Sequence, residues 1–155
     1  MAYLKEGEKA PGFKAKNQNG QDVNLSDYKG KKVVLYFYPK DDTPGCTAEA
    51  CNLRENHSEL VKRGFIVLGV SPDNEKSHTK FSTKYNLPFD LLTDTDTSIM
   101  KAYGAWGTKK MYGREYEGVL RTTYVINEEG NIEKVITKVD TKDSTAQILQ
   151  ELEIS

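Results

Sequence analysis

Apolar residues fall along the chain in two rhythms, and the change from one to the other marks its elements. Val33, Val34, Leu35, Tyr36, Phe37 and Tyr38 form a continuous β-branched and aromatic run, which predicts a central strand covered on both faces. Pro39 ends it. Over residues 43–62 the spacing becomes helical, with Cys46, Ala50, Leu53, His57 and Leu60 recurring at intervals of four and three on one face. Thr43 or a polar neighbour can cap this helix, Pro44 suits its first turn and Gly64 its stop. Residues 65–70 are a second apolar run, so this stretch reads as a βαβ unit with parallel strands.

Weaker patterns flank that unit. Asn19-Gly20 is a strong turn dipeptide between residues 13–15 and 23–25 and predicts an N-terminal hairpin. A second helix follows Pro72 and carries Phe81 and Tyr85 inward. Residues 89–92 read as a short extended piece and 98–103 as a short helix. Residues 122–126 and 132–138 alternate like strands around a turn at 128–131. An amphipathic helix from about Ser144 closes the chain, burying Ile148, Leu149 and Leu152. With no repeat, low-complexity tract or long linker, residues 1–155 read as one domain of the α/β class. The expected fold is thioredoxin-like, a mixed central sheet flanked by helices with an N-terminal β-hairpin.

Composition narrows the function classes. At 155 residues the chain has room for one sizeable core and one natural active site. Its formal net charge is -1 and no long basic run marks a phosphate-tracking stripe, so nucleic acid is not an expected partner. No segment reaches the ~20 apolar residues needed to span a bilayer, and the start lacks the apolar stretch of a secretory signal. A cytoplasmic protein with no membrane association is the expectation. Two cysteines are too few for a disulfide scaffold, and two histidines, His57 and His78, offer little for structural zinc. Asp94-Thr95-Asp96 resembles the start of a calcium loop, but the glycine and terminal glutamate of such a loop are missing. Neither a metal nor another cofactor is expected.

The chemistry concentrates in residues 39–46, which join a buried strand to a helix and leave Cys46 in the first helical turn. Backbone N–H groups there lack intrahelical partners and the helix dipole adds partial positive charge, both of which favour thiolate over thiol. A free thiol is already a few per cent ionised at pH 7, so full ionisation raises the reactive fraction only roughly 30-fold. A fast thiolate reaction therefore needs fixed donors beside the sulfur, to orient the substrate and take up charge on the departing group. Thr43 offers a hydroxyl, the Cys46 region offers backbone N–H, and an arginine is wanted.

Proline, three residues, threonine, two residues, cysteine (Pro39, Thr43, Cys46) resembles the active-site pattern of the peroxiredoxins. The similarity extends through Phe37-Tyr38-Pro39, Thr43-Pro44-Gly45-Cys46-Thr47, Glu49, Cys51, Trp106-Gly107 and Arg121-Thr122-Thr123-Tyr124-Val125-Ile126, and looks like the bacterioferritin comigratory protein or PrxQ subfamily. The resemblance implies that Cys46 is the peroxidatic cysteine, that Thr43 binds peroxide oxygen, that Pro39 shields the site and that Arg121 supplies a guanidinium held by Glu49. It also implies that Cys51 resolves the Cys46 sulfenic acid as an intramolecular disulfide. The activity implied is reduction of hydrogen peroxide and organic hydroperoxides by a monomer, recycled by a thioredoxin-like or other thiol reductant.

Blander readings stand beside these. Cys46 could be an inert buried cysteine, and Cys51 an incidental helix residue, although it sits about 140° around the helix from Cys46 and off the apolar stripe. His57 lies roughly 16 Å along the axis from Cys46, which suits a packed histidine and not a base. Trp106 and Tyr112 are core or loop anchors on the bland reading, whereas the resemblance puts their region near the pocket. An isolated Arg121 would ordinarily be a surface residue. Two rival functions share the fold and the thiol: a thiol–disulfide oxidoreductase, which normally uses Cys-x-x-Cys instead of the wider spacing here, and a non-catalytic redox sensor.

Overall fold

Within residues 3–153, which this computed structural model describes apart from the Met111 side chain, the chain opens with the predicted hairpin. The outermost residues of the expected 1–155 domain lie outside the described residues. Strands β1 (Lys14–Lys16) and β2 (Asp22–Asn24) pair antiparallel. Their loop is held by Asn17 Oδ1, which accepts from the Asn19 and Gln21 amides at 2.9 and 3.0 Å, and Gly20 takes the left-handed conformation at φ 74°. After a short 3-10 turn (Leu25–Tyr28) come β3 (Lys32–Phe37), α1 (Pro44–Glu55), α2 (His57–Lys62), β4 (Phe65–Ser71) and α3 (Glu75–Tyr85). The remaining elements are β5 (Asp90–Thr93), α4 (Ser98–Ala102), β6 (Trp106–Met111), β7 (Arg114–Val119), β8 (Thr122–Ile126), β9 (Ile132–Ile136) and α5 (Ser144–Glu151).

A mixed five-stranded sheet in the order β5-β4-β3-β8-β9 organises these elements. β3, β4 and β5 run parallel, β8 antiparallel to β3, and β9 antiparallel to β8. Alternate residues of β3 feed two cores. Val33, Leu35 and Phe37 pack with Leu68, Val70, Leu92, Tyr103 and Tyr124 on one face. Val34 and Tyr36 face the other way, against Cys46, Ala50 and Leu53 of α1, Leu60 of α2, Phe81 of α3 and Ile148 of α5. Complete burial of a side chain such as Leu53 or Phe81 contributes about 1.5–3 kcal/mol. Helix α1 is held by Cys46, Glu49 and Ala50 in its first turns and by Leu53 beyond them.

Three sequence expectations need correcting, and one element was not foreseen. The helix expected over residues 43–62 is two helices, broken at Asn56, whose side-chain amide donates to the Asn52 carbonyl at 2.9 Å and competes with the regular ladder. Residues 122–126 do not alternate: β8 is buried throughout, because it lies beside β3 in the sheet interior. The last helix buries Ile148 fully, while Leu149 and Leu152 are only half-buried. Strands β6 and β7 form a hairpin that the hydrophobic pattern does not announce, turning at Tyr112 and Gly113, both with positive φ.

Gly69 gives the sheet a close contact that only a missing side chain allows. It pairs with Tyr36 across the parallel ladder, and a Cβ there would lie 2.8 Å from Tyr36 Cζ, 2.9 Å from its hydroxyl and 3.0 Å from Leu91 Cδ2. The Tyr36 ring is fully buried and stacks on Tyr38 at 5.4 Å, so it has nowhere to retreat. Gly69→Ala should therefore destabilise the fold by about 1–3 kcal/mol. A denaturant midpoint equal to that of wild type would refute this account.

Candidate active site

The site lies where β3 ends and α1 begins. Tyr38 still pairs with the Val70 carbonyl at 3.0 Å, then Pro39 diverts the chain into a loop that reaches Thr43. Thr43 is extended (φ -101°, ψ 156°) and is the N-cap of α1 by its backbone, its carbonyl accepting from Thr47 N–H at 2.8 Å. Its hydroxyl does not cap the helix as expected. It donates instead to the Lys40 carbonyl at 2.9 Å, which leaves the oxygen lone pairs available to accept. Pro44 takes the first helical position, where its missing N–H costs nothing.

Cys46 follows in the first turn, buried, with its sulfur 3.3 Å from Arg121 Nη2. Arg121 reaches it from the start of β8, whose Thr122 pairs with Phe37 of β3. The other guanidinium nitrogen, Nη1, donates to Glu49 Oε1 at 2.9 Å. One planar group thus bridges sulfur and carboxylate, a fork that a lysine ammonium could not reproduce. Gly45 leaves room for it: a Cβ there would come within 3.2 Å of Arg121 Nη2.

The electrostatics are set by burial. Glu49 is 0% exposed and its Oε2 has no hydrogen-bond partner. Burial pushes its carboxyl up to about 7, against the opposing pull of Arg121. Burial alone would lower Arg121, whose side chain is 24% exposed, but the neighbouring Cys46 and Glu49 outweigh it and raise it, so the cation is secure. Helix N-terminus and guanidinium both direct positive charge at the same sulfur.

Cys46, Glu49 and Arg121 are therefore brought into direct contact, with Thr43 three residues away on the same turn and Pro39 half-buried at the loop's start. Cys51 is free and half-buried farther along α1. The structure separates Tyr112 from this group, leaving it 97% exposed at the tip of the β6–β7 hairpin. Trp106 packs against the opposite core from Cys46. His57 sits half-buried with its ring 6.0 Å from that of Phe89, and burial lowers its pKa. Asp94 is explained without calcium, since it accepts from the Ile99 and Met100 amides and caps α4.

Sequence reasoning missed a buried polar group behind the loop. Asp41 accepts from the Tyr38 hydroxyl at 2.5 Å and the Ser77 hydroxyl at 2.7 Å, and lies 2.7 Å from His78 Nδ1. Asp41, Asp73 and His78 each bring a potential ligand atom within 4.8 Å of the others. Hydrogen bonds already engage Nδ1 and Oδ2 of both aspartates, so the set does not fit a metal ion. The available signal was helical spacing, which places His78 on the same face as Phe81 and Tyr85.

A family model described as the AhpC/TSA family matches residues 7–135. The chain is 48% identical over 146 residues to the peroxiredoxin Bcp of Bacillus subtilis, covering 94% of this chain and 93% of that protein. Among solved structures, a PrxQ mutant from Xylella fastidiosa superposes with a TM-score of 0.91 at 29% identity, covering 99% of this chain and 98% of that one. The bacterioferritin comigratory protein of Xanthomonas campestris, studied for its alkyl peroxide reduction activity, gives 0.85 at 33% identity, with 91% and 90% covered.

Proposed function

This chain belongs to the AhpC/TSA family and is a peroxiredoxin, a thiol-dependent peroxidase, and from that premise we propose that Cys46 is its peroxidatic sulfur and that Arg121 and Thr43 hold the peroxide. The observation that carries the assignment is the Arg121 guanidinium, set 3.3 Å from a buried sulfur in the first turn of a helix. The Cys46 thiolate attacks one peroxide oxygen. A sulfur–oxygen bond forms, the oxygen–oxygen bond breaks, and the departing oxygen leaves with the bonding pair and takes up a proton as water or alcohol. Because the Thr43 hydroxyl gives its hydrogen to Lys40, it receives the peroxide O–H, while the guanidinium and the first-turn N–H groups stabilise the departing charge. Glu49 fixes the guanidinium plane and Pro39 limits access of water.

Cys51 then attacks the Cys46 sulfenic acid; a disulfide forms and the hydroxyl leaves as water. A dithiol donor of the thioredoxin type returns two electrons and two protons. Hydrogen peroxide and organic hydroperoxides are the substrates in this reading. Both cysteines belong to one chain, so residues 1–155 acting as a monomeric single domain suffice, and a resting dithiol suits the reducing cytoplasm. No helix among the described residues is long and apolar enough to cross a membrane.

Geometry then requires a conformational step. Both cysteines lie within α1, where five residues separate α-carbons by about 7.5 Å along the axis and roughly 8–9 Å overall. A disulfide tolerates at most about 7 Å. The first turns of α1 must unwind, which draws Cys46 and Ala50 out of the core they share with Leu53. Asn52 marks the other limit, since its side chain accepts from Thr145 N–H at 2.8 Å and donates to the Lys142 carbonyl. On oxidation by one equivalent of peroxide, amides of residues 47–51 should lose hydrogen-exchange protection while those of β4 keep it. A fully disulfide-bonded sample with unchanged protection in α1 would rule out the unwinding.

A further inference from the structure

His78 takes no part in the sulfur chemistry, yet it is fully buried in the first turn of α3 and uses both ring nitrogens. Its Nε2 lies 3.0 Å from the Leu92 carbonyl oxygen, which can only accept, so Nε2 carries a hydrogen. Its Nδ1 faces Asp41 Oδ2 at 2.7 Å, and Asp41 belongs to the loop between Pro39 and Thr43. Two hydroxyls, from Tyr38 and Ser77, already converge on that carboxylate as donors. The arrangement that satisfies every group has Nδ1 donating as well. Behind it the Asp41 amide donates to Asp73 Oδ2 at 2.7 Å, and the Ser71 hydroxyl donates to the same oxygen at 2.8 Å.

The loop is thus fastened from inside to the end of β4 and to α3. Its outer contacts, Asp42 with Lys84 at 2.7 Å and with the Tyr85 hydroxyl at 2.9 Å, are solvent-exposed and worth little by comparison. We propose that His78 is a positioning residue for peroxide reduction: donating from Nδ1 to Asp41, it fixes the loop that carries Thr43 and so sets where the peroxide lies relative to the Cys46 sulfur. The proposal rests on the reading of Cys46, Thr43 and Arg121 as the peroxide site. Helix α1 and Arg121, the sources of positive charge at the sulfur, are not among the groups His78 bonds. Loss of the His78 contact should therefore disturb the peroxide's placement and leave the nucleophile itself largely intact.

Side-chain length supplies a discriminating pair of variants. Asparagine places its amide nitrogen near the position of Nδ1, and glutamine near that of Nε2. His78→Asn therefore keeps the bond to Asp41, whereas His78→Gln keeps the one to Leu92, and each loses one bond. A misplacement of about 1 Å costs about 100-fold in rate, so His78→Gln should lower the second-order rate constant with hydrogen peroxide by about that factor and His78→Asn by less than about fivefold. Alkylation of Cys46 by iodoacetamide, which needs the thiolate but no bound peroxide, should change less than about threefold in either variant. Equal losses of peroxide reactivity in the two variants would overturn the role, as would a loss in His78→Gln no larger than the change in alkylation. Should the histidine variants not fold, Ser77→Ala decides: by removing one donor to Asp41 from a half-buried position, it should slow the peroxide reaction about three- to tenfold without slowing alkylation, and an unchanged rate refutes the proposal. Cys46→Ser is assayed alongside, because turnover surviving there discards the site reading itself and not merely the part given to His78.

Discussion

Cys46→Ser should reduce peroxide turnover to the uncatalysed background, a loss of about 10⁵-fold or more, since a serine hydroxyl at neutral pH supplies almost no anion. The fold should survive the exchange. Serine is close to cysteine in size, and the Arg121 nitrogen 3.3 Å from the sulfur gives the buried hydroxyl a partner. Stability should therefore change by no more than about 1–2 kcal/mol, within the range for a buried polar group that keeps a hydrogen bond. Steady-state peroxide consumption with a thiol reductant, read beside a denaturant melt, separates loss of chemistry from loss of structure. Turnover persisting in a folded Cys46→Ser protein would move the nucleophile elsewhere in the chain.

Arg121→Lys should cost about 100- to 1,000-fold in the second-order rate constant with peroxide, the usual price of removing one fixed donor from a developing negative charge. Charge is conserved in this exchange, so the loss isolates geometry. Arginine presents one nitrogen to the sulfur at 3.3 Å and another to Glu49 at 2.9 Å from a single rigid plane. An ammonium has to choose: turned to the buried Glu49 it leaves the sulfur without its donor, and turned to the sulfur it leaves Glu49 unpaired. Stopped-flow oxidation of the reduced variant checks this directly. A rate constant within about threefold of wild type would remove the guanidinium from peroxide activation, because a donor of that kind is worth far more.

How much of this was legible in the sequence depends on burial. The βαβ unit, the helix start at Pro44 and the chemistry-bearing loop could be read because β3 and β4 are apolar on both faces and bounded by proline or glycine. Cys46, Glu49 and Arg121 were legible as members of a motif, and their contact required the β3–β8 pairing that brings Arg121 to the loop. The β6–β7 hairpin escaped because most of β7 is exposed on both faces, which erases period-two alternation, and because a tyrosine occupies a positive-φ turn position where glycine or asparagine is usual. The break at Asn56 escaped because apolar spacing continues across it to Leu60. His78 and Asp41 escaped for a different reason: they lie in separate parts of the chain, and a buried polar pair has no periodic signature.

The bracketing of α1 has a consequence for timing. Upstream, the chain is fastened at Asp41 and Asp42; downstream, it is fastened at Asn52 and by the burial of Leu53. Between these points the ends of the unwound segment never separate far, so rewinding after reduction is a search over a short tether and not over a free chain. Helix growth takes nanoseconds per residue and closing a loop of comparable length about 10–100 ns. Encounter with a protein reductant at micromolar concentration is far slower, at about 10⁵–10⁷ M⁻¹s⁻¹. On the proposed Cys46–Cys51 cycle, the pace of the recycling half is then set by the supply of the reductant, and the enzyme is ready for its next peroxide almost as soon as the disulfide opens.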